Sequence, residues 1–148
     1  MAMLAITGCM RDAEQAMTEE EALTTVDQHA LELAEAAGTD SAPEPRPRFD
    51  VPCDDRSGRH NGLYQVERRY WLDNLPIEDN QQTFDDVYTF WSGQGYDIIR
   101  DVRDRELARV LTARTDGFTI RLLERDDGRL SIKSTSPCIR TSESPSDT

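Results

Sequence analysis

The sequence is short of apolar residues and almost free of lysine. Apolar residues make up 36% of its 148 residues, against roughly 45–50% in globular proteins, and its mean hydropathy is -0.69. No stretch approaches the roughly 20 consecutive apolar residues that cross a bilayer, which excludes a chain threaded through the membrane. Lys133 is the one lysine among seventeen basic residues, a bias typical of GC-rich bacterial coding DNA. These proportions favour a single domain with a modest core and some unpacked chain.

The sequence also lacks the motifs on which common catalytic and metal sites depend. It contains no phosphate-binding glycine loop and no HExxH, GxSxG or SxxK pattern. The two histidines, His29 and His60, are scattered and no cysteine has a CxxC neighbour, so the sequence predicts no metal site. His60 follows Cys53 in a polar loop, and we interpret it as a solvated side chain rather than as half of a nucleophilic pair. We therefore expect a non-enzymatic protein without a cofactor.

The excess of acidic residues lies at the ends of the chain. The formal net charge is -12. Residues 10–50 carry eleven acids and three arginines, whereas residues 51–140 carry sixteen acids and fourteen bases, and residues 141–148 add two acids. Nucleic-acid binding needs a basic face, and anionic lipid attracts basic segments. The balance therefore argues against a nucleic-acid partner and against electrostatic adhesion to lipid, and it favours solvated spacers at the ends.

Four residues near the start, Ile6-Thr7-Gly8-Cys9, resemble a bacterial lipobox. In proteins with this motif the cysteine receives a diacylglyceryl group, and the signal peptide is cut just before it. The resemblance implies that Cys9 is lipidated and that residues 1–8 are the remnant of a signal peptide. A signal peptide has a basic region followed by roughly 7–15 apolar residues. Because no basic residue precedes Cys9, we expect the true start to lie upstream.

The cysteine count agrees with such an anchor. The three cysteines are Cys9, Cys53 and Cys138, and an odd number in an exported protein leaves one thiol to be explained. Lipidation of Cys9 explains it and leaves Cys53 and Cys138 to form a disulfide. That bond would close a loop of roughly 85 residues and stabilise the domain by about 4–5 kcal/mol. The alternative is a soluble cytosolic partner-binding module of the immunity-protein type, with reduced cysteines.

Hydrophobic periodicity predicts an α+β fold. A capping box at Thr18–Glu21 begins a helix over residues 19–37, which Gly38 ends. A second helix is predicted over residues 80–93 from its apolar stripe. Strands are predicted over residues 63–73, 96–103, 107–114, 118–125 and 129–134, the last four as an antiparallel meander. We expect an N-terminal helix and then a curved antiparallel sheet of about five strands, with one helix packed across a face.

These elements divide the chain into expected segments. Residues 1–8 are the signal remnant, 9–52 a tether with the first helix and a Pro-rich linker, 53–140 the α+β domain, and 141–148 a disordered tail. Trp71 and Phe90 fall off the predicted core faces, which makes them candidates for exposed contact residues. Whether the first helix packs on the domain is left open.

In layout, the chain resembles small cell-envelope lipoproteins of high-GC Gram-positive, actinobacterial bacteria. These proteins combine a lipid anchor, an acidic or Pro-rich spacer and a compact domain with one disulfide. The resemblance implies a location on the extracytoplasmic face of the cell membrane, held by lipid. It implies no particular ligand. The expected partners are the membrane, through the anchor, and an unidentified envelope protein or small ligand.

Overall fold

The computed structural model describes residues 16–144, in which two helices and seven strands form an α+β fold. The elements, in chain order, are α1 (Glu19–Ala37), β1 (Ala42–Pro45), β2 (Phe49–Asp54), β3 (His60–Asp73), a 3-10 turn (Ile77–Asp79), α2 (Asn80–Gly93), β4 (Asp97–Val102), β5 (Val110–Thr115), β6 (Phe118–Glu124) and β7 (Leu130–Ile139). The predicted class, N-terminal helix and curved antiparallel sheet are confirmed. The sheet has seven strands rather than about five.

All strand pairs in the sheet are antiparallel. The order is β1-β3-β7-β6-β5-β4, and β2 lies beside β1 along the same edge of β3. Strands β4 to β7 form the predicted meander, and β7 then pairs with β3, for example with Ile132 opposite Tyr70. This pairing joins the N-terminal and C-terminal parts of the chain in one sheet.

The segment predicted as a Pro-rich linker contains two strands, so that prediction is wrong at these residues. Strands β1 and β2 both pair with β3, with Pro43 opposite Leu72 and Pro52 opposite Tyr64. Proline has no N–H to donate to a ladder, which confines it largely to edge strands. Both strands are edge strands, so the prolines that suggested a linker are compatible with pairing and also shield the edge from further strands.

Helix α1 packs on the sheet and is part of the domain. The Thr18 hydroxyl accepts a hydrogen bond from the Glu21 N–H at 3.0 Å, as the predicted cap requires. Ala22 and Val26 are fully buried on the side facing the sheet, where α1 contacts β3 and β7. Gly38 ends the helix, and a Cβ there would lie 2.8 Å from Leu75 Cδ2. A side chain at position 38 would therefore push against the end of the Leu75 side chain.

Helix α2 covers the same face of the sheet. Phe84, Val87 and Trp91 of its predicted apolar stripe are buried, and the helix contacts α1, β4 and β5. Beneath the helices, the buried sheet residues include Tyr70, Leu72, Leu111, Ala113, Ile120, Leu122, Leu130 and Ile132. Both helices lie over this one face, and the residues that alternate with these core positions point to the opposite, open face.

Two other segments differ from their predicted structure. Strand β5 begins at Val110 rather than at residue 107, because Leu107 is exposed and Ala108 has a φ of 57°. At the other end, Thr141 is buried and the Ser142 N–H donates to Glu19 Oε2 at 3.1 Å. The first part of the predicted disordered tail, residues 141–144, is therefore held against the start of α1. Residues 145–148 lie outside the described residues.

A disulfide joins Cys53 of β2 to Cys138 of β7. These are the two cysteines that were predicted to pair, and 85 positions separate them in the chain. The bond closes a loop that contains β3, α2 and the meander, so it restricts the unfolded chain over most of the domain.

Removing this crosslink with Cys53→Ser/Cys138→Ser is expected to lower the free energy of unfolding by about 4–5 kcal/mol, because the open chain gains conformational entropy. Urea unfolding followed by circular dichroism measures the loss. Cys9→Ser, which leaves the bond intact, should keep the parent midpoint. A midpoint for the double variant equal to that of the oxidised parent would contradict the assignment.

A buried polar network connects α2 with the meander. Asn80 is 2% exposed, and its amide donates to Glu124 Oε2 at 2.6 Å and to the Gly128 carbonyl at 2.8 Å. The buried Glu124 carboxylate also accepts from the Arg109 N–H at 3.1 Å and from Arg109 Nη1 at 2.9 Å. The first turn of α2 is thus held to the β6–β7 hairpin by bonds to a charged group, which are stronger than neutral ones.

Asn80→Ala is expected to lower the free energy of unfolding by about 1–3 kcal/mol, since the buried Gly128 carbonyl loses this donor and the Glu124 carboxylate loses one of its three. Gln82→Ala is the matched control, because the Gln82 side chain bonds to Asp86 on the exposed side of the same helix. Urea unfolding compares the two variants. Equal losses would show that the Asn80 network contributes nothing beyond helix propensity.

Candidate functional site

The open face of the sheet carries a row of basic side chains in cross-strand register. Lys133 of β7 lies directly opposite Arg69 of β3 on one side and Arg121 of β6 on the other. Thr112 of β5 continues the row beyond Arg121, and Arg100 of β4 follows it. Directly opposed residues on antiparallel strands lie about 4.5–5.5 Å apart between Cα atoms. Three cations therefore occupy adjacent positions on three neighbouring strands.

Like charges placed directly opposite each other destabilise a sheet. One carboxylate moderates this repulsion: Glu67, 5% exposed, lies 3.4 Å from Arg69 Nε and 3.5 Å from Lys133 Nζ. Thr135 donates its hydroxyl hydrogen to the same carboxylate at 3.4 Å. Within residues 16–144 no carboxylate forms an ion pair with Arg121. The row therefore keeps an excess of positive charge.

This basic row forms the floor of a groove of about 390 Å³, which we call the basic groove. Its lining consists of Phe49, Val51, Gln65, Glu67, Arg69, Arg114, Thr119, Arg121, Lys133 and Thr135. Four of these residues are bases and one is an acid. Phe49 of β2 is 62% exposed, although an aromatic ring of this size is ordinarily buried. The groove thus combines a cationic floor with an exposed aromatic ring.

Trp71, one of the two predicted contact residues, lies on the open face next to the basic groove. It is half-buried and stacks under two guanidinium groups, that of Arg129 at 3.6 Å from the ring centroid and that of Arg125 at 5.4 Å. The Arg129 guanidinium also hydrogen-bonds to Asp73 and thereby lowers the pKa of that carboxyl. The face around Trp71 is therefore packed and charged. A contact role for Trp71 stays a prediction.

Phe90, the other predicted contact residue, lies on the opposite side of the sheet. It is half-buried and packs against the core. A depression of about 420 Å³ between the two helices contains it, together with Glu32, Glu35, Ala36 and Gln94. The structure does not bring Phe90 and Trp71 together on one surface. A contact role for Phe90 likewise stays a prediction.

The two histidines lie apart from the basic groove. The His29 ring packs against Tyr96 and Phe118, with centroid separations of 5.9 and 5.5 Å, and burial lowers the pKa of His29. His60 Nδ1 lies 3.0 Å from the carbonyl oxygen of Cys53. Neither ring is placed beside a thiol that could act as a nucleophile, because Cys53 is held in the disulfide.

The predicted lipidation site, Cys9, lies outside the described residues. Within residues 16–144, no cluster of three or more His, Cys, Asp or Glu side chains could hold a metal ion. None of the helices in this part of the chain is long and apolar enough to cross a membrane.

No protein family and no curated protein matches the chain. Among solved structures, the chain resembles LppA of Mycobacterium tuberculosis, a protein named as a lipoprotein. The TM-score is 0.53 and the sequence identity 13%, over 83% of this chain and 78% of that one. The two chains share a fold. An identity this low transfers neither a ligand nor the role of any residue.

The basic groove was not predicted from the sequence, although the sequence contains one signal for it. Residues 51–140 are nearly neutral in total, but their charges are unevenly distributed over the sheet. Arg121 alternates with the core residues Ile120 and Leu122, and Lys133 follows Ile132 in the same way. Bases at outward positions of consecutive strands indicate a cationic face once the order and register of those strands are known.

The repulsion within the row can be measured as stability. Arg121→Gln is expected to raise the free energy of unfolding by about 0.2–1 kcal/mol, because it removes a cation directly opposite Lys133. The gain should shrink as salt screens the charges. Arg59→Gln makes the same charge change in an exposed loop and should have little effect. Urea unfolding at low and high ionic strength measures both variants, and a salt-independent loss in Arg121→Gln would contradict the repulsion.

Proposed function

We propose that this chain is an extracytoplasmic lipoprotein, anchored to the cell membrane through Cys9, whose folded domain has a non-enzymatic binding or scaffolding role. The observation that carries the proposal is the disulfide between Cys53 and Cys138. It uses two of the three cysteines and leaves Cys9, the cysteine of the lipobox-like motif, as the remaining one. Lipidation accounts for a remaining thiol in an exported protein.

The disulfide also supports an oxidising compartment. Stable structural disulfides are rare in the cytosol, where thiols are kept reduced, and common outside it. This favours the envelope over the cytosolic partner-binding module that the sequence also allows. The fold shared with a mycobacterial protein named as a lipoprotein points in the same direction.

The binding role rests on the open face. The basic groove exposes cations, hydroxyls, an amide and an aromatic ring, and among residues 16–144 neither a cysteine nor a histidine lines it. Such side chains can hold a ligand by charge and hydrogen bonds. We assign them to recognition rather than to bond cleavage.

The anchor is tested by metabolic labelling with an alkyne fatty acid in an actinobacterial host that expresses the gene with its upstream DNA. The parent protein should be labelled and should fractionate with membranes. Cys9→Ser should lose the label, because the acylated thiol is gone. The double variant Cys53→Ser/Cys138→Ser should keep it. Mass spectrometry that finds an unmodified thiol at Cys9 in the membrane-free fraction would overturn the proposal.

A further inference from the structure

We propose that the basic groove is a binding site for a phosphorylated ligand that carries two adjacent phosphate groups. The inference deepens the binding role proposed above by naming the chemical class of the ligand. It rests on the arrangement of Arg69, Lys133 and Arg121 in one cross-strand row, with Arg114 beside them in the groove.

The charge of the site matches such a ligand. The lining has four bases and one acid, which leaves a net charge of +3. Two phosphate groups carry about three to four negative charges near neutral pH. Glu67 contacts only Arg69 and Lys133 among these bases. Neither Arg114 nor Arg121 forms an ion pair within residues 16–144, so both guanidinium groups are available to a bound anion.

The hydrogen-bond donors match phosphate as well. Planar guanidinium groups bind phosphate oxygens in pairs, and three arginines line the groove. The hydroxyl of Thr119 and the amide of Gln65 lie in the same lining and can add donors. A phosphate group offers more acceptor oxygens than a carboxylate, and several donors converging from neighbouring strands favour the richer acceptor.

The shape of the groove favours a compact ligand over a membrane surface. The groove volume of about 390 Å³ falls in the range of small-molecule sites. Phe49 and Val51 of β2 form one wall, and a planar bilayer cannot follow a concave floor.

Isothermal titration calorimetry with inorganic diphosphate tests the site. The full chain carrying Cys9→Ser is used, so the result does not depend on the anchor. Saturable binding is expected, and Arg121→Gln and Lys133→Gln should each weaken it by about tenfold, the cost of losing one charge-assisted bond. Arg59→Gln changes the same charge outside the groove and should leave the affinity within about twofold. Binding should weaken as salt is raised.

Two further measurements check that the variants are folded and that diphosphate binds in the groove. Circular dichroism of the Arg121 and Lys133 variants checks that they remain folded, and the repulsion in the row predicts that they do. Amide NMR shifts on adding diphosphate should concentrate on β3, β6 and β7. The site is refuted if diphosphate does not bind, if the control variant loses as much affinity as the groove variants, or if only vesicles containing phosphatidic acid bind. None of these results would bear on lipidation of Cys9.

Discussion

The antiparallel pairing of β3 with β7 holds the two halves of the chain together. Strand β3 is 14 residues long and is the partner of β1, β2 and β7, while β7 joins it to the meander. Helix α1 packs across these same two strands. The register of the pair turns Tyr70 and Leu72 toward the helices and Arg69 and Trp71 toward solvent. The core and the basic groove therefore lie on the two faces of the same pair of strands. A register shift of one residue would move the core side chains of a strand to the open face and its basic side chains into the core.

The ladder between β3 and β7 contains one irregularity. The register shifts between Gln65 and Glu67, and the Val66 N–H donates to the Ser136 hydroxyl at 2.8 Å instead of to a ladder carbonyl. Ser136 is fully buried, so without this bond the backbone N–H would be left unsatisfied in the core. Val66 and Glu67 are both buried, but on opposite faces of the sheet, as successive strand residues are. Val66 packs in the core, and Glu67 contacts the bases of the open face.

The sequence predicted the helices, the meander and the Cys53–Cys138 pair, but it did not predict the two edge strands or the row of bases across the sheet. The bounds of α1 and α2 follow from a capping threonine and from apolar residues at helical spacing, which are local signals. Strands β1 and β2 were missed because four prolines are typical of a linker, and only the position at a sheet edge makes proline acceptable there. The basic groove was missed for a related reason. Arg69, Arg121 and Lys133 are distant in sequence, and only strand order brings them into one row.

The position of the basic groove relative to the start of the domain connects the two proposals. Phe49 lines both the groove and a second depression that contains Glu19, the first residue of α1. Glu19 follows Cys9 by ten residues, a stretch that spans at most about 35 Å when fully extended. A domain tethered at Cys9 would thus hold its groove within a short distance of the membrane. Glu20 and Glu21, in the first turn of α1, would repel anionic head groups at this end. A groove that lies near the membrane without adhering to the lipid surface stays accessible to a ligand in the envelope.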